Sequence, residues 1–283
     1  MPQVAVEAGI QLHYAERGEG EETVVFSHSY LVDHRHFEPQ LEALKSRYRV
    51  LAYDHRGHGQ SDKPSDGYSM ERIYADGVAF LEALETGPVH WIGLSAGGFV
   101  GMRIAFRRPE LLKSLVLMDT AAGEPVFNRI KYRTMLLMLG SFGFGPLLGS
   151  ITRSMFGRAF LKDPARAEER THWRQRFRDN DIKAIIGFGK AIFSRDDVTN
   201  QLRDIALPTL VVVGEDDHGT PPDKARHLAA TIPGARLEVI PNAGHLCTVE
   251  QPDEVNRVLF DFLAEQKAWD DAARQPNRYG SGP

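Results

Sequence analysis

Residues 93–98 read Gly-Leu-Ser-Ala-Gly-Gly, directly after the apolar run VHWIGL and ahead of a helix-like stretch. Small residues stand two positions before and two positions after Ser95. A strand turning sharply into a helix needs that pattern, because bulk there would clash as the helix packs back on the strand. Such a turn strains the backbone, exposes the serine hydroxyl and sets it at the positive end of a helix. A hydroxyl is a poor nucleophile without a base, so a histidine and an orienting acid are expected elsewhere. The chain has 11 histidines. His245, in Pro-Asn-Ala-Gly-His after the late run LEVI, is the candidate base. Acids cluster where the run TLVVVG ends, in Gly214-Glu215-Asp216-Asp217. The N–H of Ala96, next to the nucleophile, is one expected donor to an oxyanion.

These residues need elements to position them. Short apolar, β-branched runs recur: Val4–Ala8 and Ile10–Glu16 as an opening hairpin about Gly9, then TVVFS (23–27), RVLAYD (49–54), VHWIGL (89–94), SLVLMD (114–119), TLVVVG (209–214) and LEVI (237–240). Segments with helical apolar spacing lie between them, at 37–44, 70–84, 98–106, 223–230 and 254–263. This alternation predicts a mostly parallel sheet covered on both faces. It breaks between about Gly123 and Asp204, where glycine-punctuated helical stretches replace strands. The predicted organisation is a core of residues 1–122 and 205–274, a helical cap or lid of residues 123–204, and a flexible tail of residues 275–283. Met135, Met138, Phe142, Phe144, Met155 and Phe156 are the candidate apolar lining beneath the cap.

The loop Asp54-His55-Arg56-Gly57-His58-Gly59-Gln60-Ser61 completes the picture. With the elbow, it resembles the α/β-hydrolase-fold serine hydrolases, in particular the carboxylesterase and 3-oxoadipate enol-lactonase-like group. The resemblance runs from the opening hairpin to the last helix. It implies a mostly parallel, eight-stranded α/β sheet flanked by helices, with a helical cap. Relatives resemble G-x-x-D after the penultimate strand, which selects Asp217 and leaves Asp216 pointing away. They also carry the catalytic histidine after the last strand, as His245 does. Many begin the loop after the third strand with His-Gly, and the following N–H completes the oxyanion hole. By that correspondence Tyr30 is the second donor, His28 braces the loop, and Ser29, also a candidate substrate-pocket residue, stands where glycine is usual. Serine is tolerable there if its φ is negative. His55 and His58 are read as non-catalytic, and His34, His36 and His172 as solvent-facing residues without a catalytic partner.

Bulk properties exclude other classes. The formal net charge is -4, which argues against a nucleic-acid footprint. No apolar run reaches the roughly 18 residues that suggest a membrane span. The N-terminal residues lack the pattern of a secretory signal, so a cytoplasmic protein is expected. One cysteine, Cys247, excludes an intrachain disulfide. Neither a metal nor an organic cofactor is expected, the partner is a small-molecule substrate, and monomer and homodimer both fit. The expected activity is cleavage of a carboxylic ester or lactone of small to medium, lipophilic character. Alternatives are a cofactor-free perhydrolase or haloperoxidase-like reaction, C–C hydrolysis on the same triad, and, from another class, a non-catalytic ligand sensor. Epoxide hydrolases and dehalogenases of this fold carry a carboxylate where Ser95 stands. The meta-ring-fission hydrolases resemble G-N-S-M-G-G, which is absent here.

Overall fold

The computed structural model describes residues 2–7, 9–123 and 129–274, so the expected tail at 275–283 lies outside the described residues. Eight strands form the sheet: β1 (Gln3–Glu7), β2 (Ile10–Arg17), β3 (Thr23–Ser27), β4 (Arg49–Tyr53), β5 (Val89–Leu94), β6 (Leu112–Met118), β7 (Thr209–Gly214) and β8 (Arg236–Ile240). Their spatial order is β1-β2-β4-β3-β5-β6-β7-β8. β1 pairs with β2, and β2 with β4, in antiparallel fashion; every later pairing is parallel.

Every residue of β3, β5 and β7 is buried, so continuous apolar runs without alternation are what a sheet covered on both faces requires. The cover comes from α1 (Glu38–Leu44), α2 (Met70–Ala83), α3 (Ala96–Arg107), α9 (Pro222–Thr231), α10 (Cys247–Glu250) and α11 (Pro252–Arg274). Trp91, Phe26 and Phe80 are fully enclosed between these layers. Each such side chain contributes about 1.5–3 kcal/mol of burial free energy. Between β6 and β7 run α4 (Arg129–Phe142), α5 (Leu148–Met155), α6 (Arg158–Lys162), α7 (Ala167–Arg178) and α8 (Ile182–Phe193), with no strand among the described residues.

Register decides where the chemistry can be. Ser27 pairs with Tyr53 on one side and Gly93 on the other. Leu94 pairs with Met118, Met118 with Val212, and Gly214 with Ile240. The carboxyl ends of the strands are therefore level, and the loops that follow β3, β5, β7 and β8 emerge along one edge. In open α/β sheets that edge is where ligands bind.

Candidate active site

The elbow between β5 and α3 holds Ser95 at φ 53° and ψ −104°, a left-handed backbone position. Such a position costs about 1–3 kcal/mol and persists only where neighbours enforce it. Here the Ser95 N–H donates to the Met118 carbonyl at 2.8 Å, and the Thr120 hydroxyl donates to the Ser95 carbonyl at 2.9 Å. The flanking glycines are sterically required. A Cβ on Gly93 would overlap the Gly97 carbonyl, and one on Gly97 would stand 2.5 Å from the Ser27 carbonyl carbon. The Ala96 N–H opens α3 and has no acceptor among the described residues.

The loop after β7 carries two neighbouring aspartates to different destinations. Asp216 turns outward, where it pairs with Arg158 at 2.8 Å. Asp217 turns inward, is 1% exposed, and accepts from His245 Nδ1 at 2.9 Å. It also accepts from the N–H groups of Gly219 (2.7 Å) and Thr220 (3.0 Å) and from the Thr220 hydroxyl (2.7 Å). A carboxylate only accepts, so His245 carries its proton on Nδ1 and presents Nε2 to the cavity. Burial alone would raise the Asp217 carboxyl, but the His245 charge and these donors hold it below the usual range. Burial likewise opposes the His245 imidazolium, yet Asp217 outweighs it and lifts the imidazole to about 9. Asp119 and Glu250 pull the same way, weakened because burial drives both towards the neutral acid.

Local sequence gave no signal for Glu250. Its two oxygens accept the N–H groups of Gly244 and Gly157, each at 2.8 Å. It thereby ties the His245 loop to the α5–α6 connection.

The loop after β3 is braced from behind. His28 donates from Nδ1 to the Ser29 carbonyl at 2.6 Å, and its Nε2 accepts the His55 N–H at 2.8 Å. Burial, then the neighbouring His55, pushes the His28 imidazole down to about 3, so it is neutral at working pH and its bracing bonds persist. The positive φ of this loop falls on Leu31, at 70°, and not on Ser29. That is how serine is accommodated where glycine is usual. The Ser29 hydroxyl approaches His245 Nε2 at 3.5 Å, and no hydrogen bond joins Ser95 to His245 among the described residues. Tyr30 anchors the loop to α8 through its hydroxyl, which donates to the Ile185 carbonyl at 2.9 Å. The Tyr30 N–H, like that of Ala96, has no acceptor among the described residues.

A cavity of about 600 Å³ joins these groups. Ser29, Tyr30, Ser95, Thr220 and His245 line one side, and Met135, Met138 and Met155 line the other. Three of the expected lining residues lie elsewhere. Phe142 ends α4 on the outer face and is 70% exposed. Phe144 and Phe156 are buried in the core, and Phe156 stacks on Phe160 with centroids 4.2 Å apart. Composition identified an apolar helical segment, but only helix rotation decides which side chains face inward. The surface reading of His34 and His36 is also corrected. Both are buried, with His34 donating to Asp54 at 2.7 Å and His36 bonded to Thr248 at 3.1 Å. Asp54 gathers His13, His34 and the Gln60 N–H, which makes its loop a hydrogen-bonded corner. His13, His34 and Asp54 have potential metal-ligand atoms within 4.8 Å of one another, but both Asp54 oxygens already accept hydrogen bonds, from the two histidines and from the His34 and Gln60 N–H groups.

Comparison with known proteins agrees with this architecture. A Caulobacter sp. protein named as the carbamate hydrolase RutD is 30% identical, over 81% of this chain and 86% of its own. A Mycobacterium tuberculosis protein named as the non-heme bromoperoxidase BpoC is 30% identical, over 92% of this chain and 100% of its own. The crystal structure of the enol-lactonase from Burkholderia xenovorans superposes with a TM-score of 0.86 at 27% identity, covering 93% of this chain and 100% of that one. With residues 22–252 matching the family described as the alpha/beta hydrolase fold, this chain belongs to the α/β-hydrolase family.

Proposed function

We propose that the chain is a serine hydrolase that cleaves carboxylic esters or lactones through an acyl-enzyme. The observation that carries this reading is the 2.9 Å pair of His245 Nδ1 with buried Asp217, facing the same cavity as the strained Ser95 elbow. His245 Nε2 takes the Ser95 proton as the Oγ attacks the carbonyl carbon. The oxyanion is received by the N–H groups of Tyr30 and Ala96, both without protein acceptors among the described residues. The imidazolium then protonates the departing alcohol oxygen. Water, deprotonated by the same imidazole, releases the acid and restores Ser95. Asp217 holds the tautomer and stabilises the imidazolium without taking the proton.

Ser29 bears on the resting state. Its hydroxyl occupies the approach to Nε2, so bound substrate must turn Ser95 towards the base and displace that contact. Catalytic hydrogen bonds commonly tighten only in the substrate complex. Helices α4–α8 serve as the cap, and Tyr30 couples them to the oxyanion loop through Ile185. A membrane span is not part of this reading: among the described residues no helix is long and apolar enough to cross a bilayer. The test is a pre-steady-state assay with a p-nitrophenyl ester. A burst approaching one equivalent of p-nitrophenol per chain, lost in Ser95→Ala, is expected. Full turnover by folded Ser95→Ala excludes this mechanism, and an absent burst without turnover returns the chain to the ligand-sensor class.

A further inference from the structure

The cavity carries a charge pattern that ester hydrolysis does not require. Three cationic side chains, Lys131, Arg153 and Arg195, line it, and no aspartate or glutamate does so among the described residues. This occurs in a chain whose overall charge is -4. Lys131 and Arg153 are exposed, whereas Arg195 is only 7% exposed.

Arg195 is held in place without a direct ion pair among the described residues; Asp196 and Asp197 act on it only through space. It follows α8 and donates to the carbonyls of Ile192 at 2.9 Å and Gly123 at 2.7 Å. Its guanidinium lies 3.9 Å from the centroid of the Phe99 ring. Its Nε is buried with no hydrogen-bond partner among the described residues. The nearby carboxylates are directed elsewhere, Asp196 to the buried Arg103 and Asp197 to the Thr199 N–H. Arg103 thus has its counter-ion, and among the described residues the direct partners of Arg195 are two neutral carbonyls and a ring face. Desolvation, then repulsion from Arg103, lowers the Arg195 guanidinium to about 10, which still leaves it charged at neutral pH. A buried cation is strongly favoured by an anion that arrives with matching geometry, and a guanidinium matches a carboxylate.

We propose that Arg195 is the recognition site for a carboxylate on the substrate, so that the preferred substrates are half-esters of dicarboxylic acids. This rests on the serine-hydrolase reading above. Phe99, under Arg195, lies one turn along α3 from Ser95, about 6 Å along the helix axis. The carboxylate therefore sits several bonds from the scissile carbonyl, a spacing that suits glutarate or adipate chains. Hydrolysis of such a half-ester breaks the ester C–O bond, passes the acyl group through Ser95 to water, and releases the alcohol and the dicarboxylate.

The experiment compares mono-p-nitrophenyl glutarate with p-nitrophenyl butyrate, its neutral counterpart. Wild-type kcat/KM is expected to favour the charged ester roughly 10- to 100-fold, as for a charge-assisted hydrogen-bonded pair. In Arg195→Met that ratio falls towards one, and in Arg195→Lys part of it remains. Because Arg195 also holds two backbone carbonyls, Arg195→Met risks misfolding, so the wild-type ratio and a binding measurement stand beside it. Glutarate, but not glutaramide, is expected to raise the melting temperature of Ser95→Ala, which binds without turnover. A wild-type preference for the neutral ester, or equal stabilisation by glutarate and glutaramide, overturns the Arg195 proposal. Loss of all esterase activity with glutarate binding intact overturns the catalytic reading and leaves an anion site standing.

Discussion

Gly97→Ala isolates the steric basis of the elbow. The added Cβ would stand 2.5 Å from the Ser27 carbonyl carbon and 2.8 Å from the Ser27 Cβ, and closer still to the carbonyl oxygen. Carbon atoms in ordinary contact are about 3.5–4.0 Å apart, so α3 must retreat from β3 by roughly 1 Å. Neither side of this contact is a flexible side-chain tip; β3 lies inside the sheet, paired with both β4 and β5. The retreat carries Ser95 and the Ala96 N–H away from His245 and the Tyr30 loop. A displacement of about 1 Å at a reacting centre costs on the order of 100-fold in rate, or about 2.7 kcal/mol in the barrier. Overpacking costs a further 1–3 kcal/mol or so of stability, and melting should fall by about 3–10 °C. Steady-state ester hydrolysis and thermal unfolding measure the two effects separately. Gly145→Ala is the control: nothing lies within 4 Å of its built Cβ and its φ is not positive, so both quantities should hold. A folded Gly97→Ala protein with wild-type kcat would refute the argument that this glycine sets the nucleophile's position.

Asp217→Asn should lower kcat on the order of 10⁴-fold, read by stopped-flow or endpoint ester hydrolysis, because an amide no longer secures the Nδ1–H tautomer. For pH dependence, only neutral His245 accepts the Ser95 proton. With its pKa raised to about 9, kcat/KM should climb with pH and reach half-maximum well above 6.5, the ordinary imidazole value. Glu250→Gln should move that limb to lower pH, since it removes an acid that raises His245 and weakens the tie to Gly244 and Gly157; an unmoved profile counts against that coupling. Arg56→Met leaves buried Asp76 without its 2.5 and 2.6 Å partners and should destabilise the fold by about 3–5 kcal/mol, seen as a lower denaturant midpoint.

Features whose cause is local were legible in the sequence. β3, β5 and β7 occupy the residues expected of them, because a strand buried on both faces is written as an unbroken apolar run. α3 begins at Ala96, two residues before the expected start, because the elbow glycines break the apolar spacing that marks a helix. The candidate serine and histidine were visible because their turns demand small residues at set positions. Tertiary context was needed wherever partners lie far apart. His36 is buried by Thr248, 212 positions away, and nothing near His36 announces that. Arg195 resembles any arginine after a helix until its carbonyl partners, its ring contact and the lack of a direct ion pair among the described residues are seen together.

The choice of Asp217 rested on the family resemblance, whereas the chain itself encoded the alternation of strands and helices and the small-residue turns at Ser95 and His245. These follow from backbone sterics and periodic burial, which act over a few residues. Tertiary packing settled that Asp216, expected to point away, is held by Arg158, that methionines rather than Phe142, Phe144 and Phe156 face the cavity, and that a buried cation stands at its side. Those outcomes depend on side-chain direction and on charges brought together across the fold, which spacing along the chain does not encode.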